Sequence, residues 1–304
     1  MRSKKTKLKR FIPLYMMMVP GLAYLLINNY IPMLGIVIAF KQVNFRKGII
    51  ASPWVGLSNF KFLFKGDAWI ITRNTLGYNI LFIFLTPIIA ITVAILLNEL
   101  RSAMSKKFYQ TVILIPYLIS IVVTSYLVYA FLATDNGYFN NTILPLFGLE
   151  AKSWYSSPQY WPFILVLVHI WKGFGYSTII YYATLVGIDS GYYEAAAIDG
   201  ANRWKRIVHV TLPALKPTII TLTLLSIGRI FYSDFGLFYQ VPMSSGPLLD
   251  VTNTIDTYVY RALMQSNNIG MSSAAGVYQS IIGFILVLGA NILTRKISAE
   301  DALF

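Results

Sequence analysis

Residues 72–97 read TRNTLGYNILFIFLTPIIAITVAILL, and after Arg73 this stretch contains no charged side chain. About 20 predominantly apolar residues in a helix are enough to cross the hydrocarbon core of a bilayer. The run is continuously apolar and lacks the alternation that is typical of strands in a membrane barrel. Because every backbone polar group must find a hydrogen-bond partner inside lipid, the stretch predicts a transmembrane helix.

Similar apolar runs recur along the whole chain and agree with its composition. Of the 304 residues, 56% are hydrophobic and only 12% are charged, whereas a soluble domain carries about a quarter charged residues. The sequence therefore predicts an all-α, polytopic membrane protein with six transmembrane helices. The predicted helices are Phe11–Phe40, Thr72–Leu97, Phe108–Leu132, Tyr160–Leu185, Pro217–Phe235 and Ser273–Leu293.

The net charge of +13 is explained by where the basic residues lie. The first ten residues, MRSKKTKLKR, directly precede an apolar run that is too long for a cleavable signal peptide, so we interpret it as an uncleaved first span. Placing both termini in the cytoplasm puts about twice as many basic residues in inner segments as in outer ones, as the positive-inside rule requires. No nucleic-acid-binding motif is present, which excludes nucleic acid as a partner.

The segment between predicted spans four and five is the most informative part of the chain. Residues 187–217 read GIDSGYYEAAAIDGANRWKRIVHVTLPALKP. Ser190 can cap a helix that starts at the next residue, and Gly200 indicates a turn. Pro213 and Pro217 are expected to break the run before the next span. The pattern predicts a short helix, a turn, a second short helix and a return into the membrane.

Alanine and glycine in this segment would let a helix end enter a cleft on another protein. Asp199 and Arg203 have helical i, i+4 spacing and could form a weak pair. An amphipathic loop lying on the inner leaflet would have a similar composition. The composition by itself leaves both interpretations open.

The spacing of particular residues in the segment is more specific. Glu194-Ala195-Ala196, then Gly200 after three residues, then Val210-Thr211-Leu212-Pro213 after nine, resembles the EAA motif of binding-protein-dependent ABC importer permeases. Val210 replaces the usual isoleucine and is the one departure. This resemblance favours a coupling helix over a loop on the leaflet.

The resemblance implies an architecture and a set of partners. A MetI-like permease core would cover residues 72–295, after a first span and loop over 1–71 and before a cytoplasmic tail over 296–304. The chain would pair with a second similar permease in a bacterial cell membrane, above two ATPase subunits that bind ATP and Mg, and would receive substrate from an extracellular binding protein. The residues implied at the ATPase contact are Glu194, Ala195, Ala196, Asp199, Gly200, Arg203, Leu212 and Pro213.

Shorter stretches resemble the carbohydrate branch of the family, and we expect an oligosaccharide or polysaccharide fragment as substrate. These stretches are Trp54–Phe60, Asn74-Thr75, Ile115-Pro116, Ile227–Arg229 and Asp234–Gly236. The chain has no G-x-x-x-x-G-K-[ST] phosphate loop, so it is not itself the ATPase, and no cofactor is expected in it.

Charged residues inside predicted spans are costly and usually face a cavity or a partner. The candidates here are Lys172, Arg229 and Asp234. Lining of the substrate pathway, pairing across a subunit interface and snorkelling to headgroups all remain open. With neighbouring aromatic residues, the candidate pathway set is Trp171, Lys172, Tyr176, Arg229, Phe231, Tyr232 and Asp234. If the substrate is acidic, Lys172 and Arg229 would be its natural partners.

Other function classes find little support in the sequence. There are no cysteines, and His169 and His209 are too far apart in the chain to indicate a metal pair, so no metal site and no catalytic site are expected. An ion-coupled transporter would show midplane carboxylates, and a glycan enzyme would need paired carboxylates or a metal cluster. Both alternatives leave the EAA spacing unexplained.

Overall fold

The computed structural model describes residues 4–297 and residue 302, so most of the predicted tail over 296–304 lies outside the described residues. Apart from one bridge between Lys41 and Trp54, the regular secondary structure of the described residues is helical, which confirms the all-α prediction. In chain order the α-helices are α1 (Lys4–Leu25), α2 (Ile31–Met33), α3 (Gly48–Ala51), α4 (Ala68–Glu99), α5 (Ala103–Leu118), α6 (Ile121–Leu132), α7 (Leu144–Leu146), α8 (Trp161–Val186), α9 (Ser190–Ile198), α10 (Arg203–Arg206), α11 (Leu212–Gly228), α12 (Phe235–Gln240), α13 (Leu249–Thr252), α14 (Ile255–Ser266) and α15 (Ile269–Ile297).

Short helical turns of other types connect or extend these helices. The 3₁₀ turns are Leu34–Phe40, Gly56–Leu63, Trp154–Ser156, Pro158–Tyr160 and Gly246–Leu248. The π turns are Leu26–Tyr30, Phe139–Ile143 and Ile207–Thr211. Each π turn ends two residues before a proline, namely Pro32, Pro145 or Pro213. A proline lacks the N–H of a regular helix and crowds the carbonyl four residues earlier, and the wider turn accommodates both effects.

Within the part of the chain that the structure describes, five helical stretches are long and apolar enough to cross a membrane: Phe11–Phe40, Ala68–Glu99, Pro158–Val186, Arg203–Gly228 and Ile269–Lys296. The prediction of one continuous helix over Phe108–Leu132 is wrong. That region forms α5 and α6, which are bent by 91° at a short break, and together they make at most one further crossing. Ser120 begins α6 by accepting a hydrogen bond from the amide of Val123, which starts a new helix at the break.

The fifth predicted helix also has different bounds. The helical stretch runs from Arg203 to Gly228, so Pro213 and Pro217 do not break it, contrary to the prediction. Pro213 occupies the first turn of α11, where a missing N–H is tolerated, and the preceding π turn provides the space. The helix ends at Gly228, and residues 229–234 continue without an α-helix. Arg229 is therefore outside the helix in which it was predicted.

The chain divides into two compact units, and the larger one contains Gly66–Tyr258 and the chain from Gln279 onward. Helices α4 and α8 form its main packed pair. At one end Tyr78 and Phe82 of α4 pack with Trp161 and Leu165 of α8. At the other end two alanines of α4, Ala90 and Ala94, pack against Tyr181, Leu185 and Leu215. Small side chains allow the backbones of membrane helices to approach closely, which suits this second cluster.

The smaller unit contains the chain up to Lys65 together with Val259–Tyr278. Its Trp54–Phe60 stretch folds back onto the end of the first span. The side-chain amide of Asn59 donates to the carbonyls of Ala39 and Lys41, at 2.9 and 3.0 Å. Lys41 is buried, and its ammonium donates to the carbonyls of Ile49 and Ile50 in α3. The motif that resembles the carbohydrate branch thus has a structural role in closing the loop after the first span.

Candidate functional site

Helix α9 carries the EAA residues and begins one residue earlier than predicted. Its N-cap is Asp189, whose carboxylate accepts a hydrogen bond from the amide of Gly191 at 2.9 Å. Ser190 is instead the first helical residue. A carboxylate at this position also interacts favourably with the positive end of the helix dipole.

Gly200 ends the helix with a φ of +74°, a left-handed conformation that glycine adopts without steric cost. The amide of Ala201 donates to Ala196 at 2.9 Å, and the amide of Gly200 donates to Ala197 at 3.1 Å. These two bonds form a Schellman motif. The predicted turn is confirmed, and since Asp199 precedes it and Arg203 follows it, those two residues are not on one helix.

The residues implied at the ATPase contact form an exposed surface. Ala196 is half-buried, and the others are exposed: Glu194, Ala195, Asp199, Gly200, Arg203, Leu212 and Pro213. Two large apolar side chains flank them, since Ile198 is 87% exposed and Trp204 is 71% exposed. Apolar side chains grouped on an exposed surface indicate a protein or membrane contact. We call the part of this surface that residues 190–204 form the coupling surface.

One hydrogen bond connects the coupling surface to the next span. The Tyr193 hydroxyl lies 3.1 Å from the hydroxyl of Thr211, which is buried where the π turn meets α11. Helix α9 therefore follows α8 in the chain and is also hydrogen-bonded to the residue that directly precedes α11. A displacement of α9 would be passed to α11 through this contact.

A cavity of about 710 Å³ lies among α4, α8, α11 and residues 229–234. Its lining includes four of the predicted pathway residues, Tyr176, Arg229, Tyr232 and Asp234. Uncharged polar groups and a histidine line it as well: Asn79, Thr86, His169, Ser177, Thr223, Ser226 and Ser233. A cavity with hydroxyl, amide, charged and aromatic groups suits a hydroxyl-rich ligand.

Side chains from three helices hold the non-helical segment beside this cavity. The amide of Asn79 donates to the carbonyls of both Ile230 and Tyr232 at 2.8 Å. Gln279 donates to the carbonyl of Phe231 at 2.6 Å. Irregular backbone at membrane depth is tolerated only where it is buried in protein or lines a cavity, and these amides replace the helix bonds that the segment lacks.

A carboxylate completes the support of the segment. Asp256 accepts hydrogen bonds from the backbone amide of Ser233 at 2.7 Å and from its hydroxyl at 2.8 Å. Asp234 caps α12 by accepting from the amide of Leu237 at 3.1 Å. The position of Arg229 and Asp234 is thus set by a network that reaches from α4 to α15.

Comparison with known proteins places the chain in a family. A family model described as "Binding-protein-dependent transport system inner membrane component" matches residues 86–299. The chain belongs to this family. It is a membrane-spanning permease subunit of an ABC importer, with a MetI-like core, and ATP hydrolysis belongs to a separate subunit.

Individual relatives cover nearly the whole permease. Protein LplB of Bacillus subtilis (strain 168) is 38% identical over 96% of this chain and 92% of its own length. The polygalacturonan/rhamnogalacturonan transport system permease protein YteP of the same strain is also 38% identical, over 98% and 94%. The crystal structure of a bacterial ABC transporter involved in the import of the acidic polysaccharide alginate contains a chain with a TM-score of 0.86 and 32% identity, over 96% of this chain and 98% of that one.

Three of the predicted pathway residues lie outside the cavity of the permease. Lys172 donates to the carbonyls of Pro116 and Tyr117 at 3.3 Å and also to that of Ile119. An ammonium group has three donors, so all of them are used at the break between α5 and α6. Phe231 is buried, and Trp171 lines a separate apolar groove.

Most of the polar residues that line the permease cavity are not in the predicted pathway set. The predicted set contains charged residues in the spans and their aromatic neighbours, whereas Asn79 and Thr86 are uncharged. They lie seven residues apart on α4, which is two helical turns, so both face the same side. Thr86 has a buried hydroxyl without a hydrogen-bond partner in the structure. Polar residues at helical spacing within an apolar run were the signal that could have found them.

The two histidines have separate surroundings. His169 lines the cavity and stacks on Phe82, with ring centroids 3.5 Å apart. His209 lies in the π turn, where its Nδ1 is 2.9 Å from the carbonyl of Lys205. Among the described residues, no group of three side chains could hold a metal ion.

Proposed function

We propose that this permease imports an acidic oligosaccharide, a fragment of a uronic-acid-rich polysaccharide, across the plasma membrane of a bacterium. It would act with a second similar permease, two ATPase subunits that bind ATP and Mg, and an extracellular binding protein. Named relatives that act on polygalacturonan, rhamnogalacturonan and alginate support an acidic carbohydrate. A solved relative in complex with an oligosaccharide-bound periplasmic protein supports the delivery partner.

The observation that carries the proposal is the lining of the 710 Å³ cavity. Arg229 is exposed within this lining, next to non-helical backbone. A guanidinium binds a planar carboxylate in two parallel hydrogen bonds. Lys172 is no longer a candidate for this role, because its donors are engaged by backbone carbonyls. Asp234 in the same lining would accept hydrogen bonds from sugar hydroxyls.

The proposed mechanism follows from the coupling surface. ATP-driven closure of the two ATPase subunits would move α9 on each permease. The contact between Tyr193 and Thr211 would pass this movement to α11, which ends at the cavity. The cavity would then alternate between access from the two sides of the membrane. This requires the coupling surface on the cytoplasmic side, and six crossings would place both termini there as well.

The test is transport by the complete complex in proteoliposomes, with uronic-acid oligosaccharides and neutral oligosaccharides of the same length. We expect binding-protein-dependent uptake of the acidic series, and we expect Arg229→Gln to reduce that uptake at least tenfold. Arg101→Gln, a loss of charge at an exposed residue between α4 and α5, is the matched control and should transport normally.

Preference for neutral sugars would refute the acidic substrate, and unchanged uptake of acidic sugars by Arg229→Gln would refute the role of Arg229; both results would leave the importer in place. Uptake that does not require ATP or the binding protein would refute the importer itself. The two parts of the proposal therefore fail separately.

A further inference from the structure

A second large cavity is an apolar groove between α6 and α8, separate from the polar one. Its volume is about 640 Å³. The lining is almost entirely apolar and includes Leu127, Phe131, Phe163 and Leu167. Phe163 is 73% exposed and Leu167 is 57% exposed, so the chain itself leaves them uncovered. The groove belongs to neither the coupling surface nor the 710 Å³ cavity.

The length of the groove matches one leaflet of a bilayer. Along α8 its lining runs from Tyr160 to Trp171. At 1.5 Å per residue this is about 16 Å, roughly half of the ~30 Å hydrocarbon core. The same helix continues to Val186 and then to the coupling surface. The groove therefore occupies the leaflet opposite the coupling surface, and its deep end lies near the break between α5 and α6.

The shallow end of the groove carries a positive charge among aromatic rings. The ammonium of Lys152 donates to the hydroxyl of Tyr160 at 3.0 Å and lies 4.8 Å from the centre of that ring. It is 5.9 Å from the ring of Trp154. Trp154 and Tyr160 also line the groove, and tryptophan and tyrosine favour the headgroup layer.

The charge of Lys152 is left available for an external anion. Among the described residues no carboxylate forms an ion pair with it, and Glu150, two residues earlier, is exposed. The bond to Tyr160 uses one of its three donors. A lysine at headgroup depth attracts an anionic lipid, by about fivefold in affinity for one charge.

We propose that this groove binds one acyl chain of an anionic phospholipid, with the lipid phosphate held at Lys152. Three observations support the assignment: an apolar lining, a length of one leaflet and a cation at the headgroup end. A helix of the partner permease is the alternative occupant, but an apolar helix would leave the half-buried cation at the mouth without an anion. The bound lipid would stabilise the packing of α6 on α8 next to the break between α5 and α6.

The experiment is native mass spectrometry of the assembled complex, titrated with phosphatidylglycerol or with phosphatidylcholine of the same acyl chains. We expect one phosphatidylglycerol to be retained about fivefold more strongly than phosphatidylcholine. Lys152→Gln should remove this preference, because the charge is lost and the groove remains. Lys65→Gln, which removes the charge of an exposed lysine outside the groove, is the control and should leave the preference unchanged.

A second variant tests the groove itself. Leu167→Trp fills it and should release both lipids, whereas Val123→Trp, at an exposed residue of α6 outside the lining, should release neither. Assembly of each variant is checked by co-purification of all subunits. Equal retention of both lipids by the native complex, or unchanged retention in Leu167→Trp, would overturn the proposal.

The native chain has no cysteine, which makes a direct test of the alternative possible. Leu167→Cys can be tested for cross-linking to single cysteines in the partner permease. Efficient cross-linking would show that the partner fills the groove and would also overturn the lipid assignment. Protection of this cysteine from aqueous maleimide without any cross-link would support it.

Discussion

Gly200 is the residue on which the shape of the coupling surface depends. Its φ of +74° closes the Schellman motif, and no atom lies within 4 Å of where a Cβ would be. A larger residue therefore meets backbone strain and not a clash within the chain. The left-handed conformation costs an ordinary residue about 1–2 kcal/mol.

We predict graded effects of substitution at Gly200 on ATPase activity stimulated by the binding protein. Gly200→Ala should lower the activity about fivefold through backbone strain, and Gly200→Asn should lower it less, because asparagine tolerates this conformation. Gly200→Trp should abolish it by blocking close docking. Gly187→Ala is the control, since Gly187 has a φ of −78°. Normal turnover in Gly200→Trp would show that this turn does not contact the ATPase.

Tyr193 makes a hydrogen bond from α9 to Thr211, the last residue of the π turn before α11. Tyr193→Phe removes its hydroxyl and keeps the ring, so we expect the subunits to assemble normally. A hydrogen bond contributes about 1 kcal/mol, so the ratio of sugar transported to ATP hydrolysed should fall by about fivefold. The ratio is measured in proteoliposomes. Tyr192→Phe is the control, because the neighbouring side chain is 67% exposed; an equal loss in both variants would contradict a specific role for Tyr193.

The sequence predicted the turn of the coupling surface but not which residues line the cavity, for a physical reason. An exposed turn depends on local chemistry, and Gly200 has a local requirement that spacing alone reveals. The cavity depends on which helices pack together, and no local pattern shows that Asn79 faces residues 229–234. The presence of a charge in a span does not show which residues line the cavity. Lys172 donates to backbone carbonyls, whereas Arg229 lines the cavity.

Three of the stretches that resemble the carbohydrate branch lie at helix ends. Ile115-Pro116 precedes the break between α5 and α6, and Ile227–Arg229 ends α11. Asp234–Gly236 begins α12. Asn74-Thr75 lies within α4 and has a related role, because Asn74 donates at 3.0 Å to the carbonyl of Asp250 in α13 and to that of Asn253 at the end of α13. The first three stretches terminate or cap helices, which explains why they looked unlike the apolar runs around them.

Close packing against α8 also fixes the end of α5 at the break between α5 and α6. Gly175 of α8 lies against the backbone of Ile113, where a Cβ would collide with the carbonyl. Lys172, three residues earlier, reaches the carbonyls at the end of α5. A positive charge at the C-terminal end of a helix is also favourable for the helix dipole. Helix α8 thus holds α5 at its end with one glycine and one lysine.

Lys172→Met should relax the bend, because it leaves carbonyls at the break without their donor. An unsatisfied buried acceptor costs about 1–3 kcal/mol, so we expect a lower melting temperature for the purified complex. Lys172→Arg should restore part of the loss, since a guanidinium can also donate to carbonyls. Lys107→Met, which removes an exposed lysine of α5 itself, is the control. An unchanged melting temperature in Lys172→Met would show that the hydrogen bonds of Lys172 do not stabilise the end of α5.

The described residues provide five or six crossings, and the bent pair of α5 and α6 decides between these numbers. A pair bent by 91° can be a broken span or a re-entrant loop. Six crossings put both termini on one side, whereas five put them on opposite sides. The distribution of basic residues favours the first arrangement, although the first loop is itself rich in lysine. Lys41 in that loop is buried and bound to carbonyls, which weakens its weight as an orientation signal.

Single cysteines in the naturally cysteine-free chain can determine the number of crossings and the orientation of the chain in one experiment. The variants Lys65→Cys, Arg101→Cys, Glu150→Cys and Arg203→Cys place one thiol in each of four exposed connecting segments. Intact cells are treated with a membrane-impermeant maleimide, and lysed cells give the total reactivity. With six crossings and cytoplasmic termini, Lys65→Cys and Glu150→Cys react in intact cells, and the other two react only after lysis.

A re-entrant pair gives a different pattern because it returns the chain to the side from which it came. Arg203 must face the ATPase subunits if the coupling surface is correctly assigned. Arg101→Cys and Glu150→Cys would then both react in intact cells, while Lys65→Cys would be protected. Reaction of Arg203→Cys in intact cells would contradict the coupling surface itself, whatever the number of crossings, because no cytoplasmic ATPase could reach it.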